Sequence, residues 1–348
     1  MNIKAKLASL ISVSCFVLLP FQAQAAPAYS DLYVFGDSLS DVGNVFAATG
    51  GAQPASPYAN GQYSNGSIWV QGLAAQLGLN PLKPSILGGN DYAFGGATTN
   101  YQPTASTIVP NLTQQIGLYS LSLGGSPAST SALYSVWIGA NDIFNILDSG
   151  VALNTALLQA KGAALAEANA IALLAGAGAK NFLVPLLPDL GLTPSLTSLG
   201  PQASAAGSFL AASYNSALQS DLVSLVESFG LSMNYLDTYG LIDDAVGNPG
   251  AFGFSNVKDP CFTGTTTSGG DYCANPNQYL FWDDLHPTAA AQALIANAAI
   301  SALSVPEPGT LLMIGIALTS LALGRRKKTD HIHRARLIGD KAMFNGLC

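Results

Sequence analysis

Residues 32–41 read LYVFGDSLSD, a short apolar run that ends at a glycine and is followed by a serine. We predict a β-strand over Leu32–Phe35, because a short run of large apolar residues bounded by turn residues is typical of a buried strand. Ser38 would then lie just beyond the carboxyl end of that strand, where its hydroxyl can face a cleft. A serine is a good nucleophile only beside a base, so this segment alone fits a catalytic serine and a helix-capping serine equally well.

The rest of the chain repeats the pattern of short apolar runs and longer Ala-rich stretches. Further strands are predicted at Tyr92–Phe94, Ala132–Ile138, Asn181–Leu187 and Leu231–Leu236. Helices are predicted at Trp69–Leu77, Ala152–Ala175, Ser204–Phe229 and Ala289–Leu303. Strands that alternate with helices indicate a parallel sheet. We therefore expect one doubly wound α/β domain of five parallel strands, with its site at the carboxyl ends of the strands.

The histidines narrow the choice of base. Only His286 lies in the body of the chain, since the other two histidines are in the last 20 residues. Asp283 precedes it by three positions, and residues i and i+3 of a helical turn share a face. Asp283 can then accept a hydrogen bond from one ring nitrogen and leave the other free as a base. Asp284 would point away. Taken alone, His286 could also be a structural histidine before a proline.

Two further turns could stabilise negative charge. Residues 139–142 read GAND and follow the predicted strand Ala132–Ile138, so the Asn141 side-chain amide is a candidate donor. Residues 91–96 read DYAFGG, and a glycine lets a backbone N–H approach a ligand closely. The Ser38 N–H would be a third donor. Each such donor is typically worth a factor of about 10²–10³ in rate, although each turn alone could be an ordinary one.

Taken in order, these blocks resemble the GDSL, or SGNH, hydrolase family. The blocks are GDSLSD at 36–41, the glycine pair at 95–96, GAND at 139–142 and Asp283-x-x-His286. Residues 61–69 are also similar to the branch with lecithinases, haemolysins and autotransporter esterases. The spacing places the family's oxyanion glycine at Gly96, with Gly95 as the alternative. Asp91 stands where the family usually has asparagine.

The resemblance implies a three-layer α/β/α, flavodoxin-like domain that hydrolyses esters through an acyl-enzyme. Ser38 would be the nucleophile, His286 the base and Asp283 the orienting acid. Ser38, Gly96 and Asn141 would form the oxyanion hole, with no metal or cofactor required. The substrate would be a lipid, phospholipid or acylated polysaccharide. Two alternatives stay open: a carbohydrate O-acetylesterase acting on surface polysaccharide, and a catalytically silent surface or matrix protein with the same fold.

Charge and cysteine content limit the partners. Residues 27–304 contain four lysines, no arginine and 17 acidic residues, which argues against a nucleic-acid partner. Cys261 and Cys273 are the only cysteines in that range. In an exported chain such a pair suggests one disulfide. Two cysteines and one histidine provide too few ligands for a zinc site.

Residues 1–26 are predicted to be a secretory signal peptide. Lys4 and Lys6 precede an apolar run over 7–21 and an A-x-A site at 23–25. A buried or membrane helix is the alternative reading. Export would also permit the disulfide predicted in the body of the chain.

Residues 305–328 contain the sequence VPEPGT, an apolar run over 311–323 and the basic cluster RRKK. This arrangement resembles the PEP-CTERM sorting signal of Gram-negative bacteria. The resemblance implies an exosortase-type processing enzyme, transient membrane anchoring and a final place at the cell surface or outside the cell. A simple C-terminal anchor is the alternative. Residues 27–304 are thus left as the hydrolase domain, and residues 329–348 have no recognisable role.

Overall fold

The structure is a computed structural model that describes residues 29–99 and 109–303. Both ranges belong to one unit, Ala26–Glu307. The predicted signal peptide, the PEP-CTERM segment and residues 329–348 lie outside the described residues.

Parallel strands form the sheet in the part of the chain that the structure describes. In spatial order they are β1 (Leu32–Gly36), β2 (Leu133–Trp137), β3 (Asn181–Pro185) and β4 (Ser232–Leu236). Neighbouring strands are parallel throughout, so their carboxyl ends meet at one edge of the sheet. These four predicted strands are confirmed. The central strand β2 is buried along its whole length, as in a sheet covered on both faces.

The predicted strand Tyr92–Phe94 is wrong: among the described residues the sheet has four strands, not five. The segment still lies along the outer edge of β1, where the Tyr92 N–H donates to Val34 O at 2.7 Å. Its other side is engaged by the Asp91 carboxylate, which accepts the Ala93 N–H at 3.0 Å and the Val42 N–H at 2.7 Å. Bonds from a side chain to the backbone compete with a strand ladder, which explains the irregular edge.

The α-helices of the described residues vary widely in length. In chain order they are α1 (Asn44–Ala48), α2 (Trp69–Gln76), α3 (Leu112–Ser122), α4 (Ala140–Asp148), α5 (Leu153–Ala177), α6 (Pro194–Thr197), α7 (Pro201–Phe229), α8 (Thr238–Gly247) and α9 (Ala289–Leu303). The predicted helices correspond to α2, α5, α7 and α9. Helix α7 begins at Pro201, earlier than predicted, because proline suits the first turn of a helix. No helix within residues 29–99 and 109–303 is long and apolar enough to span a membrane.

Helices pack on both faces of the sheet. Tyr134 and Val136 of β2 contribute to a core with α3, α5 and α7. Leu133 and Trp137 contribute to a second core, with α2 and α9. The two sets alternate along one strand, because successive strand residues face opposite sides. The architecture is therefore the predicted three-layer α/β/α fold.

The predicted disulfide between Cys261 and Cys273 is present. It closes a loop whose Phe262 ring stacks on Trp282, with ring centroids 5.4 Å apart. Trp282 directly precedes Asp283 in the chain. The disulfide loop, residues 261–273, therefore packs against the segment that carries the predicted acid.

Candidate active site

Ser38 lies in the turn that follows β1, at the carboxyl edge of the sheet. The carbonyl oxygen of Asp37 accepts the Asp41 N–H at 3.1 Å and closes this turn. Gly36 has φ 153°, and a Cβ atom there would lie 2.2 Å from the carbonyl oxygen of Trp137. Only glycine lets β1 approach β2 so closely before the turn. The side chain of Ser38 lines a cleft and is 9% exposed.

The structure brings Ser38, His286 and Asp283 together. Nε2 of His286 lies 2.8 Å from Ser38 Oγ, and Nδ1 lies 2.7 Å from Asp283 Oδ2. The segment forms bends rather than the predicted helical turn. Asp283 Oδ1 instead accepts the N–H groups of Leu285 at 2.8 Å and His286 at 2.6 Å, a side-chain turn that aligns carboxylate and ring. Asp284 is exposed.

Burial and charge act in opposite directions on this pair. Burial alone would raise the pKa of Asp283, but the charge and hydrogen bonds of His286 outweigh it and hold the pKa below its usual value. Burial alone would lower the pKa of His286, but the Asp283 carboxylate outweighs it and the net shift is upward. The pair therefore combines an ionised acid with an imidazole of increased basicity, which suits general-base chemistry.

Ser38, Gly96 and Asn141 line the same cleft. Asn141 lies in the first turn of α4, and its Nδ2 donates to the carbonyl oxygen of Ala97 at 2.9 Å. This bond joins the asparagine block to the glycine block. Because the amide carries two hydrogens, one remains to donate to a ligand.

Gly95 and Gly96, the two candidates for the oxyanion glycine, differ in the hydrogen bonds of their N–H groups. The Gly95 N–H donates to Asp41 Oδ2 at 2.9 Å and is therefore engaged. Gly96 has φ 81°, and within residues 29–99 and 109–303 its N–H donates to no other group. The same holds there for the Ser38 N–H. The geometry favours Gly96 as the donor toward the cleft.

The cleft beside Ser38 has a volume of about 250 Å³ and mainly apolar walls. Its apolar lining includes Phe144, Leu190, Ile242, Phe281 and Leu285. Small-molecule sites commonly combine such walls with a few placed polar groups. A larger groove of about 1900 Å³, bordered by α3, contains none of the predicted site residues.

Two tyrosines of the site were not predicted. Tyr58 donates its O–H to Asp283 Oδ2 at 2.6 Å. The ring of Tyr63 lies beside that of His286, with centroids 5.2 Å apart, and lines the cleft. Tyr63 belongs to residues 61–69, and the resemblance of that segment to lecithinases, haemolysins and autotransporter esterases could have indicated it. No sequence pattern singles out Tyr58.

Buried carboxyl groups surround the turn at Ser38. Burial raises the pKa of Asp37 to about 7 and that of Asp41 to about 6. Asp41 also accepts the N–H groups of Gly43 at 2.7 Å and Asn44 at 2.5 Å, so it organises the turn. Within the described ranges no group of three or more His, Cys, Asp or Glu side chains could hold a metal ion.

The family model of GDSL-like lipases and acylhydrolases matches residues 32–299. The chain belongs to this family. The predicted sorting signal is confirmed by a match of residues 304–328 to the PEP-CTERM protein-sorting motif.

Similar proteins include two from Pseudomonas species. The chain is 35% identical over 327 residues to an uncharacterised protein from the trpE-trpG intergenic region of Pseudomonas putida, covering 84% of this chain and 51% of that protein. It is 32% identical over 350 residues to Esterase EstA of Pseudomonas aeruginosa, covering 89% of this chain and 52% of the esterase. The chain thus spans about half the length of these relatives. A solved lipolytic G-D-S-L family protein from Veillonella parvula aligns with 78% of this chain and 97% of its own, at a TM-score of 0.42 and 14% identity.

Proposed function

We propose that this protein is an exported serine ester hydrolase that cleaves carboxylic esters through an acyl-enzyme on Ser38. The observation that carries the proposal is the hydrogen-bonded series from Ser38 to His286 and on to Asp283, at 2.8 and 2.7 Å. A nucleophile, a base within hydrogen-bond reach and a group that orients the base are what acyl transfer requires.

In the first half of the reaction, His286 Nε2 takes the proton from Ser38 Oγ as that oxygen attacks the ester carbonyl. Asp283 keeps the ring oriented and stabilises the imidazolium that forms. The carbonyl oxygen gains negative charge, and the N–H groups of Ser38 and Gly96 with the Asn141 amide donate to it. Collapse of this intermediate breaks the ester C–O bond, and His286 protonates the leaving alcohol. In the second half, His286 activates a water that releases the acid from Ser38.

The cleft supports an acyl chain of several carbons as the preferred acid. Its walls near Ser38 include Leu190, Ile242 and Phe281. Each methylene buried there contributes about 0.8 kcal/mol. A panel of esters from acetyl to long acyl chains should therefore show rising kcat/KM beyond acetyl. A preference for acetyl esters of polysaccharides would favour the O-acetylesterase alternative.

The test of the reaction is Ser38→Ala in the purified protein. We expect ester hydrolysis to fall by at least about 10³-fold, since removal of a triad nucleophile leaves only binding and oxyanion stabilisation. A fluorophosphonate probe should label the wild type but not the variant. Ser40→Ala is the matched control, because Ser40 lies in the same turn but is bonded to the Trp69 indole N–H at 3.3 Å. Full activity in Ser38→Ala would contradict the mechanism, and an unlabelled wild type would favour a silent protein.

We further propose that two processing steps during export produce the mature chain. Residues 1–26 are removed as a signal peptide, residues 27–304 form the hydrolase domain, and an exosortase-type enzyme processes the signal at 305–328. The match to the sorting motif supports this order. Mass spectrometry of the protein recovered from a producing cell tests it. Substitution of Pro306 and Glu307 should leave the C-terminal segment attached, and unchanged processing would contradict the proposal.

A further inference from the structure

Asp283 has a second side-chain partner besides His286. The Tyr58 hydroxyl donates to Asp283 Oδ2 at 2.6 Å, and the same oxygen pairs with His286 Nδ1 at 2.7 Å. The other oxygen, Oδ1, accepts the N–H groups of Leu285 and His286. Both oxygens of this buried carboxylate, 3% exposed, are therefore held by two donors each. Donors of this kind favour the ionised form of a buried acid and fix its orientation.

Tyr58 is itself held by the disulfide loop. Its ring makes an edge contact with Phe262, at a centroid distance of 5.5 Å and an interplanar angle of 87°. It makes a similar contact with Trp282, at 6.3 Å and 85°. The Ala55 N–H donates to the carbonyl oxygen of Thr266 at 2.8 Å, which ties the segment before Tyr58 to the same loop. These contacts therefore fix the Tyr58 ring so that its hydroxyl points toward Asp283.

We propose that Tyr58 is a positioning residue that fixes the Asp283 carboxylate against His286 and so acts on the reaction through Asp283. The inference rests on the proposed ester hydrolysis. As His286 gains the proton of Ser38, the imidazolium needs a carboxylate oxygen that neither rotates nor withdraws. Tyr58 keeps its own proton throughout, because burial and the Asp283 charge both raise the pKa of its phenol.

Tyr58→Phe tests the role, since it removes the hydroxyl and keeps the ring that packs on Phe262 and Trp282. A hydrogen bond to a charged group is lost, so we expect kcat to fall about 10-fold or more while KM changes less than about twofold. Tyr119→Phe is the matched control. Tyr119 is also buried, and its hydroxyl bonds to that of Tyr134 at 3.0 Å in the core. The control should leave kcat unchanged.

A double-mutant cycle with Asp283→Ala separates action through the carboxylate from a general structural effect. In the Asp283→Ala background, Tyr58→Phe should cause no further loss of Ser38 labelling by a fluorophosphonate. A wild-type kcat in Tyr58→Phe would overturn the inference. So would the same fold-loss of Ser38 labelling on Tyr58→Phe in the wild-type and the Asp283→Ala backgrounds. An inactive, unlabelled wild type would instead count against ester hydrolysis itself, so the two failures are distinguishable.

Discussion

At the scale of single residues, the contact between Asp283 and His286 should determine the pH range of the proposed ester hydrolysis. His286 must be neutral to act as a base, so activity is lost as pH falls through its pKa. The carboxylate raises that pKa against the effect of burial, and Asp37 and Asp284 add smaller contributions of the same sign. The acidic limb of kcat/KM should therefore lie above the usual histidine value.

Asp283→Asn should move this acidic limb to lower pH and reduce kcat by about 10²-fold or more, because the charge that stabilises the imidazolium is removed. Asp284→Asn is the control, since Asp284 is exposed and raises the pKa of His286 less than Asp283 does. The measurement is kcat/KM against pH for both variants. An unchanged limb in Asp283→Asn would contradict the electrostatic coupling.

The two glycines at 95–96 should respond differently to alanine. A Cβ on Gly95 would lie 2.2 Å from the Tyr63 hydroxyl, and that ring packs beside His286. We expect Gly95→Ala to cost about 2 kcal/mol in unfolding free energy and to reduce activity strongly, as overpacking does. Gly96→Ala meets no atom within 4 Å, so only its φ of 81° is strained, at about 1 kcal/mol. Urea unfolding compares the two, and a greater loss in Gly96→Ala would contradict this order.

The grouping of Ser38, His286 and Asp283, now proposed as the triad, could be predicted from the sequence because their chemistry restricts the choice. Only one imidazole lies within residues 27–304, and the acid is three positions from it. Tyr58 could not be predicted, since its bond to Asp283 joins positions 225 apart and depends on how the loops pack. The proposal of Gly96 rather than Gly95 as the oxyanion donor is likewise supported by a contact that the sequence does not show, the bond from the Gly95 N–H to Asp41.

At the scale of elements, buried strands were predicted well because they are continuous apolar runs. The segment Tyr92–Phe94 has the same composition, yet Asp91 bonds to its backbone and makes it irregular. Helix α4 was missed because its first residues belong to the GAND sequence, which was interpreted as a turn. Local composition therefore identifies the four strands and the longest helices, whereas the irregular form of residues 92–94 depends on side-chain contacts.

The disulfide loop should stabilise both the fold and the site. Replacing Cys261 and Cys273 together with alanine should cost roughly 3 kcal/mol, the loop-closure value for a loop of this size. Activity should fall as well, because Phe262 of this loop packs on Tyr58. Urea unfolding with and without reductant measures the effect. The reduced wild type should match the variant, and an unchanged midpoint after reduction would contradict it.

At the scale of the whole molecule, buried acids should make the protein more stable in mild acid than at pH 8. Burial raises the pKa of Asp37 to about 7 and those of Asp41 and Asp142 to about 6. An acid whose folded-state pKa is raised stabilises the fold below its unfolded pKa, and this contribution is lost as pH rises through the folded value. Asp283 has the opposite effect on stability, because its pKa is lowered in the folded state. Its contribution is lost as the pH falls, but only near pH 4 and below.

The thermal midpoint should therefore rise by roughly 5 °C between pH 8 and pH 5. The excess of acidic residues, which gives the full chain a net charge of −7 and an isoelectric point of about 4.7, adds to the trend because self-repulsion weakens as the pH falls. Calorimetry across this range measures it, and Asp37→Asn should flatten the curve. A midpoint that falls on acidification would contradict the assignment.

The irregular segment beside β1 also affects how copies of the protein meet. An exposed strand edge is a template on which another chain can add a strand. Here the edge of β1 is covered by a segment whose outward Ala93 N–H is already engaged by the buried Asp91 carboxylate. A strand of a second molecule could therefore not pair with this N–H. The same carboxylate that makes this segment irregular therefore also removes a backbone donor that a further strand would need.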